Sequence, residues 1–393
     1  MEMKFREDVL LNIFSSMVEW RRYLHKNPEL SYKEAKTAQF VADRLRTWGI
    51  EVKTGVGGHG VVGTLRGDFP GKTIALRADM DALPIQDEKT CDYASTVPGV
   101  MHACGHDGHT STLLGIANYY SQHRDMIRGE LRFIFQPAEE TCPGGAIQMI
   151  EAGVLEGVDI IYGVHLWTPI SVGKTASVAG PLWAAADEFF IDIEGRGGHG
   201  GVPHVTVDSV LVGAALIMNL QTIVSRSVDP LDSAVVTVGS MQAGTMQNII
   251  AERCSIMGTA RTFNQETRSL IKRRIETIVE QTCAMYGADV HLNYLMGYPT
   301  LVNDAAETAR YQRIATHLFG EEQTIEAPKM MPAEDFAYYL QRVPGCFILV
   351  GAGNEEKGMH YPHHHPRFDF DEQAMYTAAK LLIHLAADAM MNE

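Results

Sequence analysis

Four short apolar runs, at 61–65, 73–78, 131–135 and 160–164, narrow most sharply what this chain can fold into. They are rich in β-branched or aromatic residues and often bounded by glycine, so they read as strands. Amphipathic helices are expected at roughly 5–25 and 32–48, because residues such as Ile13, Met17, Trp20 and Leu24 recur at three- to four-residue spacing. Strands separated by helices predict an α/β fold: a doubly wound, mostly parallel sheet with helical layers on both faces. Sites in such sheets form beyond the carboxyl ends of the strands. The chemistry-bearing residues fall there, with Asp79 and Asp81 after the second run, Glu139 and Glu140 after the third, and His165 after the fourth.

Residues 183–295 follow a different rhythm and read as an insertion. A strand at 188–193 precedes a helix near 206–226; strands at 234–240 and 253–262, a helix at 265–286 and a strand at 289–295 complete a β-α-β-β-α-β order, the split βαβ pattern of a ferredoxin-like domain. The last hundred residues return to helix and strand, with a core strand at 347–350 and a closing helix at 371–390. A chain of 393 residues exceeds what one hydrophobic core usually supports. The expected organisation is therefore a catalytic domain in two parts, 1–182 and 296–393, around an inserted domain at 183–295.

Composition removes several function classes. With 33 basic against 48 acidic residues and a net charge of −15, the chain lacks the clustered Lys and Arg that nucleic-acid phosphates demand. No segment holds eighteen consecutive apolar residues, and the start, Met1 to Asp8, lacks the apolar core of a signal peptide. These features predict a soluble, cytoplasmic protein with neither a membrane nor a nucleic-acid partner. Six cysteines, at 91, 104, 142, 254, 283 and 346, are spaced too widely for a disulfide framework and suit reduced thiols.

The chemistry concentrates in Met101-His102-Ala103-Cys104-Gly105-His106-Asp107-Gly108-His109 and, about thirty residues on, Gln136-Pro137-Ala138-Glu139-Glu140. A thiolate, imidazoles and carboxylates beside glycines form a ligand set for a divalent transition metal, with Zn, Co, Mn and Ni all acceptable to it. Alone, a Cys two residues from a His is more often a buried thiol beside a hydrogen-bonding histidine. Its company reverses that reading, because ligands from several strand ends can build a site for two ions with a charged group between them. Cys104 is the candidate bridging thiolate. Glu139 and Glu140 read at first as a solvated turn, yet they follow a strand and precede Gly144-Gly145. One of them can bind metal while its neighbour takes a proton from water whose pKa a metal lowers from ~16 to about 7.

The chain resembles the aminoacylase and carboxypeptidase superfamily of dinuclear metal amidohydrolases. It is most similar to the subgroup of bacterial N-acyl-amino-acid amidohydrolases, hippurate hydrolases and plant indole-acetyl-amino-acid hydrolases. The resemblance covers essentially the whole chain, from Arg22-Tyr23-Leu24-His25-Lys26-Asn27-Pro28-Glu29 and Arg77-Ala78-Asp79-Met80-Asp81 through the two motifs above. It continues in Gly198-His199, Pro203-His204, Asn248-Ile249-Ile250 and Gly258-Thr259-Ala260-Arg261-Thr262-Phe263, and ends in Glu334-Asp335-Phe336 and His364-His365-Pro366.

It implies a zinc-peptidase-like catalytic domain carrying a ferredoxin-like lid and dimerisation domain, two divalent metal ions per subunit, and a homodimer or higher homo-oligomer. By resemblance, Cys104 bridges the metals, His106 and His165 complete one site, Glu140 and His364 complete the other, Glu139 is the general base, and Asp81 orients a histidine ligand. Wider relatives place a histidine where Asp79 stands and an aspartate where Cys104 stands. Within His363-His364-His365 the family pattern, a ligand two residues before proline, selects His364. The matching histidine to His199 polarises the scissile carbonyl in the partner subunit's site. Arg261 and Asn248 hold the substrate carboxylate, a task the planar arginine fork suits. Read without the family, His199 and Arg261 are an ordinary surface histidine and strand arginine.

His102 and His109 are expected to support the Cys104 loop rather than bind metal, and Met246 and Met257 to fill gaps. The expected function is a metallopeptidase-like hydrolase that splits a small N-acyl amino acid into a carboxylic acid and a free amino acid. A dipeptidase or carboxypeptidase of the same superfamily is the alternative. A catalytically silent metal-binding protein and a thiol hydrolase using Cys104 are more distant rivals.

Overall fold

The computed structural model describes residues 5–391; Met1 to Lys4, on which half of the signal-peptide reading rests, lie outside the described residues. The chain divides into two compact units. One runs to Leu182 and resumes over Val302–Pro328 and from Asp335 onward, and the other comprises Trp183–Leu301 with Lys329–Glu334.

The first stretch carries α1 (Glu7–Lys26), α2 (Ala35–Thr47), β1 (Glu51–Val56), β2 (Gly60–Arg66), β3 (Phe69–Asp79), α3 (His106–Gln122), β4 (Arg128–Gln136), α4 (Gly145–Glu151), β5 (Ile160–Ser171), β6 (Thr175–Ser177) and β7 (Gly180–Trp183). The middle holds β8 (Ala185–Glu194), β9 (Gly198–His199), α5 (Ser209–Leu220), β10 (Ala234–Ala243), β11 (Ile249–Ile250), β12 (Arg253–Thr262), α6 (Gln265–Tyr286) and β13 (Asp289–Met296). The chain returns through β14 (Leu301–Asn303), α7 (Ala305–Phe319), β15 (Thr324–Glu326), α8 (Ala337–Leu340), β16 (Gly345–Gly353) and α9 (Gln373–Met391).

In the first unit eight strands form one sheet in the order β1-β2-β4-β3-β5-β16-β6-β15. Its centre is parallel, β4 to β3 to β5 to β16, while β1 and β2 add an antiparallel margin. Alternate residues send Ile74, Leu76 and Ala78 of β3, Leu131, Phe133 and Phe135 of β4, and Ile160, Tyr162 and Val164 of β5 into the large core that α1, α3 and α9 help to build. α3 is enclosed almost throughout, including His106, Asp107 and His109. It approaches α1 at Gly115, where a β-carbon would meet the Met17 sulfur at 2.5 Å. Unlike the sequence expectation, His165 lies within β5 rather than after it. The strand extends to Ser171 because β16 pairs alongside it, with Leu349 opposite His165 and Gly351 opposite Trp167.

The second unit is an antiparallel sheet ordered β10-β12-β8-β13, the strand order of a ferredoxin-like fold. α5 and α6 close its core, with Val212, Leu216, Ile271 and Ile275 against Phe189, Ile191 and Ile256. The Asp208 carboxylate caps α5 by accepting from the amides of Val210 and Leu211. Ser209–Ser227 is long and apolar enough to span a membrane by length and composition alone. Its Val212, Leu216, Leu220 and Ile223 are core residues, as in any helix that covers a sheet.

Candidate metal centre

β3 ends at Asp79 and β4 at Gln136, so the segments that follow, 80–84 and 137–144, leave the sheet side by side at its carboxyl edge. A third segment reaches the same edge through Gly105, whose φ of +97° lets the chain turn from Cys104 straight into α3. These three turns, with His165 of β5 and the loop before α9, bring the expected residues together. Cys104, His106 and His165 offer three donor atoms within 4.8 Å of one another, and Cys104, Glu140 and His364 offer another three. The Cys104 sulfur belongs to both triads.

The orientation of two of the imidazoles is fixed from behind. His106 Nδ1 lies 3.0 Å from the Asp81 carbonyl and 3.3 Å from its carboxylate, so Nδ1 is the donating nitrogen and Nε2, once it gives up its proton, is the one that can offer a lone pair to a metal. His165 is held the same way, donating from Nδ1 to the Leu166 carbonyl at 2.9 Å, with Nε2 3.5 Å from the Cys104 sulfur. The buried Nε2 of His106 and Oε1 of Glu140 have no hydrogen-bond partner among the described residues. Buried polar atoms are ordinarily satisfied, so two orphaned donors aimed into one cluster of Cys, His and Glu fit a divalent metal.

Among the three adjacent histidines, the geometry separates one from the others. His364 Nε2 lies 3.5 Å from Glu140 Oε1. The His363 Nε2 instead donates to the Leu166 carbonyl, and His365 Nδ1 accepts from the Arg367 amide. His364 stands at a φ of +65°, a left-handed backbone that costs a β-carbon-bearing residue of order 1–3 kcal/mol. Asp79, His106 and His109 form a further possible donor group. The nitrogens of His109 are already committed, Nδ1 to Asp79 at 2.6 Å and Nε2 as acceptor for the Leu166 amide at 2.9 Å.

The charge balance is lopsided. Burial pushes the Cys104 thiol well above its ordinary range, and Glu140, Glu139 and Asp79 push it further. Burial opposes charge on His106, but Asp79 and Asp81 outweigh it and hold the imidazole up at about 10. Burial, with His109 and His363 nearby, keeps His165 neutral and well below the usual histidine range. A thiol held protonated by three carboxylates is a poor nucleophile, which counts against a cysteine hydrolase.

Glu139 is 6% exposed, with Oε2 3.8 Å from His106 Nε2. Its amide and that of Glu140 donate to the two oxygens of Asp81, at 3.0 and 2.9 Å. Asp81 thus supports both the histidine and the glutamate pair. Sequence reasoning gave no role to Arg77, which is buried and spans Asp79 at 2.6 Å, Asp335 at 2.9 Å and the Gln136 amide oxygen at 2.9 Å. The available signal was an arginine inside the otherwise apolar run at 73–78.

His199, Asn248 and Arg261 belong to the second unit. His199 pairs with Ile249 across β9 and β11, and Asn248 accepts from the Gly200 amide at 2.9 Å, so His199 and Asn248 sit on neighbouring turns. The exposed His199 ring accepts from the Gly201 amide through Nδ1 at 3.0 Å, which leaves Nε2 as its donor. Arg261, on β12, donates to Thr259 and to the Ala260 carbonyl and makes no ion pair among the described residues.

Residues 75–388 match the family described as peptidase family M20/M25/M40. The chain belongs to this family. It shares 49% identity over 289 residues with an N-acyl-L-amino acid amidohydrolase of Geobacillus stearothermophilus, covering 74% of this chain and 78% of the relative. A thermostable carboxypeptidase of Saccharolobus solfataricus is 41% identical over 379 residues, 96% of this chain and 95% of that one. Among solved structures, a dinuclear metal-binding M20 peptidase from Bacillus subtilis superposes with a TM-score of 0.84 at 34% identity, covering 98% of this chain and all of that one. This M20 chain is a hydrolase, with the α/β fold and family that its motifs imply.

Proposed function

We propose that the protein hydrolyses the amide bond of N-acyl amino acids, releasing a carboxylic acid and a free amino acid, with two divalent ions in its catalytic unit. The observation that carries this reading is the pair of donor triads sharing the Cys104 sulfur, with Glu139 beside them. Cys104, His106 and His165 would hold one ion, and Cys104, Glu140 and His364 the other; Zn, Co, Mn and Ni all suit that donor set. When bound, such ions polarise a carbonyl and acidify water.

The chain's own residues supply the rest. Glu139 takes the proton from the attacking water and returns it to the departing amine, while Asp81 keeps Glu139 aimed. His199 donates from Nε2 to the carbonyl oxygen as negative charge develops there. Arg261, which makes no ion pair among the described residues, and Asn248 hold the substrate carboxylate. The residues from 1–182 and 296–393 form the catalytic domain, and 183–295 the lid and dimerisation domain. Its α5 exposes Val210, Leu211 and Met218, an apolar surface suited to a second copy. None of the six cysteines forms a disulfide among the described residues, which suits a reducing cytoplasm.

A carboxypeptidase reading draws on the relative named above and uses the same ions and base. Enzyme stripped with a chelator and reloaded with Zn, Co, Mn or Ni separates the two on a panel of N-acetyl, N-benzoyl and N-indoleacetyl amino acids and dipeptides. Metal-restored release of amino acid from the acyl substrates is expected. Cleavage confined to free-amine peptides would favour the carboxypeptidase, and silence in every metal would remove both.

A further inference from the structure

Glu34 caps nothing at the start of α2, although it occupies the residue before the first helical turn; its side chain turns inward and is 0% exposed. Its Oε1 accepts from two backbone amides, Tyr32 at 2.9 Å and Ala138 at 2.8 Å. Both donors belong to non-glycine residues in left-handed backbone, Tyr32 at φ +64° and Ala138 at φ +54°. Such conformations persist only where the surroundings over-determine them. Ala138 immediately precedes Glu139 and Glu140, so three consecutive amides, 138, 139 and 140, all donate to carboxylates: the first to Glu34, the other two to Asp81. The Tyr32 hydroxyl adds a fourth link, to the Thr141 carbonyl at 3.2 Å. The segment before α2 thus braces the turn at Ala138 and Thr141.

We propose that Glu34 is a positioning residue, whose Oε1 clamps the strained backbone at Tyr32 and Ala138 and so sets the direction in which Glu139 and Glu140 project. This rests on the roles given to those two glutamates above. The feature that matters is an acceptor oxygen at the right distance rather than a negative charge. Oε2 has no hydrogen-bond partner among the described residues, so nothing there requires a carboxylate.

The test compares Glu34→Leu, Glu34→Gln and the double variant Glu34→Leu with Ala138→Gly, reading kcat, KM and zinc affinity by competition with a chromophoric chelator. Losing the clamp should lower kcat by about 100-fold with little change in KM, as misplacement of a catalytic group by ~1 Å does. It should weaken one of two zinc sites about tenfold, the usual effect of losing support behind a ligand. Gln keeps the acceptor and should recover most of the loss. Glycine at 138 adopts positive φ without strain and should restore turnover in the Leu background, which repair of lost packing would not do.

Wild-type kcat and zinc affinity in folded Glu34→Leu would overturn the proposal, as would failure of the glycine to rescue it. If Glu34→Leu does not fold, Glu34→Asp, one methylene too short, takes its place with the same expectations. Wild-type turnover on acyl amino acids is scored separately. Its absence would sink the assigned reaction, and the zinc measurement would still decide whether Glu34 positions Glu140.

Discussion

Asp81→Asn changes one atom at the point where the two halves of the site are tied together. The carboxylate is 1% exposed; Oδ1 accepts from the Glu139 amide and faces His106, while Oδ2 accepts from the Glu140 amide and the Ser31 hydroxyl at 2.7 Å. An asparagine must turn its NH2 toward one of these pairs. Facing Glu139 and His106 it would meet two donors that cannot reverse. Facing Ser31 and Glu140 it meets a hydroxyl that can rotate to accept, so that orientation prevails and the Glu140 amide is left buried and unpaired. One orphaned amide costs about 1–3 kcal/mol, and losing charge assistance in the remaining bonds adds about 1 kcal/mol. The expected destabilisation is therefore about 2–4 kcal/mol in urea unfolding of the apoenzyme. Because the released amide belongs to Glu140, metal affinity should fall by about 10–100-fold at one of two sites, and kcat/KM with it. Circular dichroism melts in urea and competitive zinc titration read both quantities. A variant within 1 kcal/mol of wild type that loads two ions normally would refute the reasoning.

Glu139→Gln preserves the Asp81 anchor and removes the base, so kcat should drop by about 10²–10⁴-fold while elemental analysis still finds two ions per chain; parallel loss of metal would instead make Glu139 a ligand. Arg261→Ala should raise KM for acyl amino acids by about 10–100-fold with a smaller effect on kcat, measured on substrates with and without the free carboxylate; equal effects on both would detach Arg261 from carboxylate binding. Burial and the neighbouring Asp81 raise Glu34 from the ordinary 4.5 to about 7. Between those values the folded protein holds a proton that the unfolded chain releases, so this contribution is full below pH 4.5 and lost as pH rises through 7. It amounts to about 3 kcal/mol at most, and urea melts from pH 5 to 8 should show a shallower decline in Glu34→Gln than in wild type.

The elements that were legible from sequence are those with one dry and one wet face. α6 and β12 stand at 265–286 and 253–262, as periodicity predicts, because each is buried on one side only. α3 has no such signal: wrapped by core on every side, its apolar and polar residues follow no stripe, and a helix so placed gives periodicity nothing to detect. β1 is missed for the opposite reason, as five of its six residues are exposed or half-exposed and resemble a loop. Cys104, His106 and Glu140 were readable because they sit in short motifs at a helix start or just past a strand end, whereas His165, inside β5, and His364, in the loop before α9, were read through the resemblance. What holds them was not. Arg77 and Asp335 are 258 positions apart, and Glu34 and Ala138 are 104 apart; hydrogen bonds across such separations leave no local pattern.

The same supports explain why the site should be unsettled until a cation fills it. Arg77, the permanent cation nearest β3's end, is engaged by Asp79 and Asp335. Glu139, Glu140 and Asp79 therefore converge on His106 Nε2, each with an oxygen 3.8 Å away, and His106 carries a proton there up to about pH 10. A raised histidine contributes its stability below the ordinary value of 6.5 and loses it only as pH climbs through 10, so at neutral pH this proton is the substitute cation. A divalent ion needs that lone pair and the Cys104 thiolate, both protonated without it. Loading should therefore expel about two protons per chain at pH 7, measurable by calorimetry in buffers of differing ionisation enthalpy. At a free metal concentration 100 times Kd it should also stabilise the fold by about 2.7 kcal/mol for each site filled. Metal uptake with no buffer-dependent heat would mean that His106 and Cys104 are not both ligands.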